Sequence, residues 1–118
     1  MFKHEDDRRS LIELTNGEYK ACKVVVAKRD CVLGDHYHQG KDERFLLVMG
    51  HADEVVLGNE VLRGVEAPAE WHVPRGTYHR FTLTAGSVLV GVMSETFNHA
   101  DDFVGHPGAS GVGVAGVG

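Results

Sequence analysis

Apolar residues along this chain fall in short runs broken by Gly, Asn, Asp or Pro at intervals of roughly eight to twelve residues. Leu11 to Leu14 leads into Thr15-Asn16-Gly17, a hairpin-turn signal, and then into the valine-rich run Tyr19 to Ala27. Further runs cover Arg44 to Met49, Glu54 to Leu57, Glu60 to Val65, Glu70 to Val73, Arg80 to Thr84 and Ser87 to Met93. Turn signals at Leu57-Gly58-Asn59-Glu60 and Thr84-Ala85-Gly86-Ser87 separate several of them. No amphipathic helix of useful length is present; Asn98 to Val104 reads as one helical turn. The pattern predicts an all-β sandwich or barrel of antiparallel strands.

Length and composition narrow the picture. The 118 residues suffice for one domain with a core of its own. Hydrophobic content of 42% and charged content of 25% are ordinary for a globular protein, and a formal charge of -5 argues against a nucleic-acid partner. No apolar run approaches the roughly 20 residues that span a bilayer, and the opening MFKHEDDRRS lacks the apolar segment of a secretory signal. No membrane partner is expected, and the expected location is cytoplasmic. Cys22 and Cys31 form no CxxC pair and are assigned no chemistry. The expected division is a β-barrel domain over 1–104 and a Gly-rich tail over 105–118. That tail contains Gly111-x-Gly113-x-x-Gly116, formally a dinucleotide fingerprint. The strand–helix context that the fingerprint needs is not expected there, so the match is a coincidence of composition.

The chemistry concentrates in two segments. Gly34-Asp35-His36-Tyr37-His38 places two imidazoles at i and i+2, which share one face of a strand. Glu43 follows after a short turn, and Pro74-Arg75-Gly76-Thr77-Tyr78-His79 supplies a further nitrogen donor. Glu43 shares a strand face with Phe45, Leu47 and Met49, and His79 with Phe81 and Leu83, so both point among apolar side chains. A carboxylate buried there without a partner costs roughly several kcal/mol, so a metal or an ion pair is expected. Neutral imidazole and carboxylate suit one divalent first-row metal such as Zn, Fe, Ni, Mn or Co. His36, His38, Glu43 and His79 as ligands would leave one or two positions open, the arrangement of a catalytic site. Tyr37 and Tyr78 alternate away from the ligand histidines and read as packing residues.

The two segments resemble the cupin superfamily, whose first motif is G-x5-H-x-H-x3,4-E-x6-G and whose second is G-x5-P-x-G-x2-H-x3-N. His36-x-His38-x4-Glu43-x6-Gly50 matches the core of the first, and Pro74-x-Gly76-x2-His79 the centre of the second. The leading glycine falls at Asp30 and the closing asparagine at Leu83, and neither departure removes a ligand. The resemblance implies an antiparallel β-barrel or jelly roll (a double-stranded β-helix), a small-molecule substrate and a homodimer. At a finer level, the first histidine segment with Glu43-Arg44-Phe45, and Ser94-Glu95-Thr96-Phe97-Asn98 with Asp101-Asp102, look like small cupins of sugar-nucleotide pathways. Those include the cupin domain of capsular polysaccharide biosynthesis enzymes and the dTDP-4-keto-6-deoxyhexose ketoisomerases. The implied reaction is proton abstraction beside a ketone on a sugar, with the metal polarising the carbonyl. His72, or an unligated member of the four, would be the base, and Arg44, Arg75 and Arg80 would hold a phosphate or carboxylate. An iron-dependent dioxygenase and a non-catalytic sensing or binding cupin are the competing readings.

Overall fold

Strict alternation of buried and outward residues along Glu43-Arg44-Phe45-Leu46-Leu47 is what makes this segment a strand with one face on a core. The same period recurs throughout the chain. The computed structural model describes residues 2–15, 17 and 19–107. Its strands are β1 (Phe2–Glu5), β2 (Ser10–Glu13), β3 (Ala21–Val26), β4 (Cys31–Tyr37), β5 (Glu43–Met49), β6 (His51–Leu57), β7 (Glu60–Glu66), β8 (Ala69–Val73), β9 (His79–Leu83), β10 (Val88–Met93) and β11 (Phe103–Val104). All paired strands are antiparallel. A hairpin of β1 and β2 stands apart from two sheets, one in the order β3-β10-β5-β8 and one in the order β11-β4-β9-β6-β7. This is the expected all-β jelly roll, a cupin fold.

The core lies between the two sheets. Phe45, Leu47, Trp71, Val73 and Leu89 from the first meet Val55, Phe81 and Leu83 from the second, all buried. Removing each of these side chains from water contributes about 1.5–3 kcal/mol. The Phe45 and Phe81 rings sit 4.9 Å apart at a tilt of 60°. Among the described residues no helix is long and apolar enough to cross a membrane.

Three local features differ from the sequence expectations. β1, built from Phe2 to Glu5, was not anticipated: its residues carry no apolar alternation, and it exists by pairing with β2. β4 runs up to Tyr37, so His38 lies just past its end. The predicted helical turn at 98–104 is a single 3-10 turn over His99–Asp101, capped by the Asn98 side chain, followed by the two-residue β11. Asn16 of the hairpin signal and residues 108–118 of the Gly-rich tail, with its Gly111-x-Gly113-x-x-Gly116 match, lie outside the described residues.

Candidate functional site

Two consecutive residues of β4, Gly34 at φ +84° and Asp35 at φ +64°, adopt left-handed backbone. The register with β9 shifts between Gly34 and His36, a bulge that re-aims the end of the strand. After it His36 pairs across to His79, the first residue of β9. Glu43, the first residue of β5, faces them from the opposite sheet. The site therefore sits between the sheets at the ends of three strands, with His36, His38, Glu43 and His79 all buried.

Donor atoms of His36, His38 and His79 lie within 4.8 Å of one another. Glu43 Oε1 is 3.0 Å from His38 Nε2 and 3.7 Å from His79 Nε2. On their far sides two of the rings are held by oxygens. His38 Nδ1 faces the Asp101 carbonyl at 3.0 Å and Asp102 Oδ1 at 2.8 Å. His79 Nδ1 lies 3.4 Å from the Thr77 carbonyl. A proton on each Nδ1 leaves both Nε2 lone pairs aimed into the cluster, a tautomer assigned from these partners.

The polar atoms of the cluster are incompletely satisfied. Both ring nitrogens of His36, both carboxylate oxygens of Glu43 and Asp102 Oδ1 are buried without a hydrogen bond, although His38 approaches Glu43 Oε1 to 3.0 Å and Asp102 Oδ1 to 2.8 Å. Leaving such groups unpaired costs about 1–3 kcal/mol each, more for a charge. Burial, reinforced by neighbouring imidazoles, lowers His36 to about 3; burial, outweighing the opposing pull of the Glu43 carboxylate, lowers His79 to about 4. Both rings are thus neutral near pH 7, the form that donates to a metal. Burial pushes the Glu43 carboxyl up, but His38 and His79 outweigh it and hold it down to about 2. Neutral imidazoles around an ionised carboxylate, with four orphaned polar atoms, fit a divalent transition metal.

The structure brings together the four residues expected as ligands and none of the others. His72 is exposed between buried Trp71 and Val73, so it points away from the barrel interior. Arg44 pairs with it in register on that outer face and donates from Nε to the Tyr19 hydroxyl at 3.1 Å. Arg75 is exposed and binds Asp42 at 3.2 Å. Arg80, between the inward His79 and Phe81, points outward to Glu54 at 2.6 Å. His72, Arg44 and Arg80, expected as base and substrate-holding residues, each stand one strand position from an inward residue and so face away from the cluster, and Arg75 lies in the turn between β8 and β9.

Other groups do surround the cluster. Asp102 is buried behind His38, and burial raises its carboxyl. Lys23, at an inward position of β3 between Ala21 and Val25, lies 6.0 Å from the centre of the Phe45 ring, and burial lowers its ammonium. Lys41 is buried in the turn between β4 and β5. Lys23 was detectable in sequence as the one charge on the inner phase of β3. Asp102 was not, because a long return of the chain delivers it. A cavity beside His79, lined by Lys23, Phe45 and Phe81 among others, offers about 10 Å³, room for about one water.

Comparison with known proteins agrees with this architecture. No family model matches the chain, and no curated protein matches it. Among solved structures, a 3,4-ketoisomerase from Helicobacter canadensis is 22% identical with a TM-score of 0.68, covering 85% of this chain and 83% of that one. ChmJ, a 3'-monoepimerase from Streptomyces bikiniensis solved with dTDP-quinovose, is 19% identical with a TM-score of 0.73, over 90% of this chain and 67% of that one. The capsular polysaccharide assembling protein CapF from Staphylococcus aureus is 22% identical with a TM-score of 0.62; 89% of this chain aligns with 34% of it. The chain thus spans about a third of CapF. At these identities the likeness is one of fold: a cupin jelly roll of the kind found in sugar-nucleotide isomerases and epimerases.

Proposed function

We propose that this chain is a metal-binding enzyme acting on a keto-sugar or sugar nucleotide, of isomerase or epimerase type, and that it works as a homodimer. The observation that carries the reading is the buried cluster of His36, His38 and His79 with Glu43, whose four orphaned polar atoms call for a cation. The solved structures of similar fold, which include a 3,4-ketoisomerase and a 3'-monoepimerase, support the substrate class. A divalent metal held by these four residues would supply Lewis acidity at a carbonyl oxygen. The chain's own groups set the conditions for that chemistry. Burial keeps His36 and His79 neutral, and the Asp101 carbonyl holds the ring of His38, with the Asp102 carboxylate 2.8 Å from the same nitrogen. The apolar wall of Phe45 and Phe81 keeps the local dielectric low.

A second reading rests on one contact. Asp102 stands 2.8 Å behind His38 Nδ1, so His38 has the orientation of a general base whose gained charge a carboxylate would stabilise. The site would then abstract the proton without metal.

One experiment separates the two. Metal content is measured by mass spectrometry on untagged protein, for wild type and His38→Ala, and solvent deuterium incorporation into a dTDP-4-keto-6-deoxyhexose is followed by NMR. The metal reading expects near one metal per chain, lost in the variant, together with exchange that a chelator abolishes. Exchange persisting in metal-free protein selects the His38–Asp102 base. Absence of both metal and exchange sinks the enzyme reading. Iron as the metal would make oxygen uptake the next assay.

A further inference from the structure

Of the three histidines in the cluster, His36 is the one whose ring no oxygen holds. The Asp101 carbonyl meets His38 and the Thr77 carbonyl meets His79, whereas among the described residues neither ring nitrogen of His36 has a hydrogen bond. A histidine poised for a metal is ordinarily oriented through its far nitrogen. His36 must therefore be aimed by its backbone. That backbone is unusual. Asp35, the residue before it, lies at φ +64° and is the one non-glycine residue at positive φ among the described residues. Aspartate tolerates this conformation better than most residues, but at a cost, and it persists only where the surroundings hold it.

The surroundings do hold it. Tyr78, expected from sequence only to pack, donates its hydroxyl to Asp35 Oδ1. The Asp35 carbonyl accepts from Gly105 N–H at 3.2 Å. Tyr78 itself is a fixed anchor. Its side chain is buried, its ring stacks on His106 with centroids 3.8 Å apart and planes at 23°, and its carbonyl accepts from Gly58 N–H at 2.8 Å. Tyr78 stands one residue before His79 and Asp35 one residue before His36, and His36 and His79 are partners in the β4–β9 register. One hydrogen bond between the preceding residues thus ties together the two backbones that bring these rings to a centroid separation of 4.5 Å. Asp35 is exposed, so water competes for its carboxylate and the bond contributes little to global stability.

We propose that Tyr78 and Asp35 are the positioning pair of the metal centre: the phenol holds the left-handed turn of β4 in the conformation that aims His36 into the cluster. The proposal deepens the metal reading given above and rests on it. Neither residue belongs to the group of donor atoms, so both act through His36. What the pair supplies is precision rather than strength. A ligand ring has to be held within about 0.5 Å of its productive place, a tolerance far tighter than folding itself demands. Glycine at position 35 would take up the same backbone without strain, but it would leave the turn unheld. An aspartate that accepts some strain and is then gripped by Tyr78 and Gly105 gives a single orientation instead.

The test uses the full chain with Co2+ as the probe: its visible absorption reports coordination geometry, and chelator competition reports affinity. Tyr78→Phe removes the donor and keeps the ring, while Asp35→Gly removes the acceptor and relieves the backbone. Both are expected to bind Co2+ several-fold more weakly than wild type and with an altered spectrum, while the urea midpoints of the metal-free proteins change little. Asp35→Asn keeps an acceptor oxygen and a side chain at home in left-handed backbone, so it should retain most of the affinity. The double variant Tyr78→Phe/Asp35→Gly should be no weaker than Asp35→Gly alone, because the second substitution has nothing left to break. A wild type that takes up no cobalt overturns the metal reading and the role of the pair with it. A wild type that loads, with Tyr78→Phe matching it in affinity and spectrum, leaves the metal centre standing and overturns only the positioning pair. Affinities that fall in step with the urea midpoints under an unchanged spectrum would mean a general loosening of the fold, which also overturns it. So would an Asp35→Asn protein as weak as Asp35→Gly, since the carboxylate charge rather than the hydrogen bond would then be what acts.

Discussion

Asp102 is a residue outside the proposed ligand set that stands against one of its members. The Asp101 carbonyl accepts from His38 Nδ1, which commits that nitrogen to carrying the proton and Nε2 to facing the cluster, and the Asp102 carboxylate stands 2.8 Å from the same nitrogen. Groups in this position commonly change metal affinity by about 10–100-fold when altered, because they hold both the tautomer and the ring angle. Asp102→Asn keeps the shape but removes the charge and, by offering an amide N–H, permits the other tautomer. Metal affinity measured by chelator competition is expected to fall in that range while the unfolding midpoint of the metal-free protein changes little. His38→Ala should weaken binding further. Equal affinity in wild type and Asp102→Asn would show that the carboxylate does not hold the ring.

The bulge in β4 is the element on which the site depends. A Cβ at Gly34 would lie 2.7 Å from the His79 carbonyl oxygen and 3.3 Å from its ring, and the φ of +84° already disfavours a side chain. Backbone on both sides leaves nowhere for that overlap to go. Gly34→Ala should therefore cost about 1–3 kcal/mol and lower metal content as well, because His79 must shift. Gly64→Ala is the control: its φ is +62°, but a Cβ there meets nothing within 4 Å. It should cost about 1 kcal/mol and leave metal content unchanged. Urea midpoints and metal analysis of the two variants settle it; equal losses would mean that backbone strain alone, not the approach to His79, matters. The period-two pattern that made β5 to β10 legible in sequence could not reveal β1 or β11. Both are charged or very short and exist through their pairing to β2 and β4. The four clustered side chains, His36, His38, Glu43 and His79, were legible because the motif spacing carries them. Closeness along the chain says nothing of parity, so it could not show that His72, Arg44 and Arg80 face outward; Asp101-Asp102 stood out only through the resemblance, because the tertiary return after β10 is what brings Asp102 to His38.

At the scale of the molecule, the buried cluster ties folding to pH. The unfolded chain protonates histidine near 6.5, whereas His36 waits until about 3 and His79 until about 4. Below pH 6.5 the unfolded state therefore binds more protons, and stability falls as pH drops from about 7 towards 4. Glu43, lowered from 4.5 to about 2, acts in the same direction: the stability it contributes is present above about 4.5 and is lost as pH falls through 2. Asp102, raised by burial, opposes these only near the ordinary carboxylate range. A tenfold difference in proton affinity between the folded and unfolded chain corresponds to roughly 1.4 kcal/mol per group, an upper bound here because the four side chains share one site. Thermal unfolding in the presence of a chelator should show a steep fall in midpoint between pH 7 and 4.5. Replacing His36 by Leu should flatten that slope and, by removing two orphaned nitrogens, raise the metal-free midpoint at acidic pH. With saturating divalent metal the wild-type midpoint should rise at pH 7 and the pH dependence steepen, since protons compete for the same lone pairs. A wild-type midpoint independent of pH, or a maximum near pH 5, would mean that the imidazoles titrate freely and that the cluster is open to water. A closed centre of neutral imidazoles ready for a metal could not then exist.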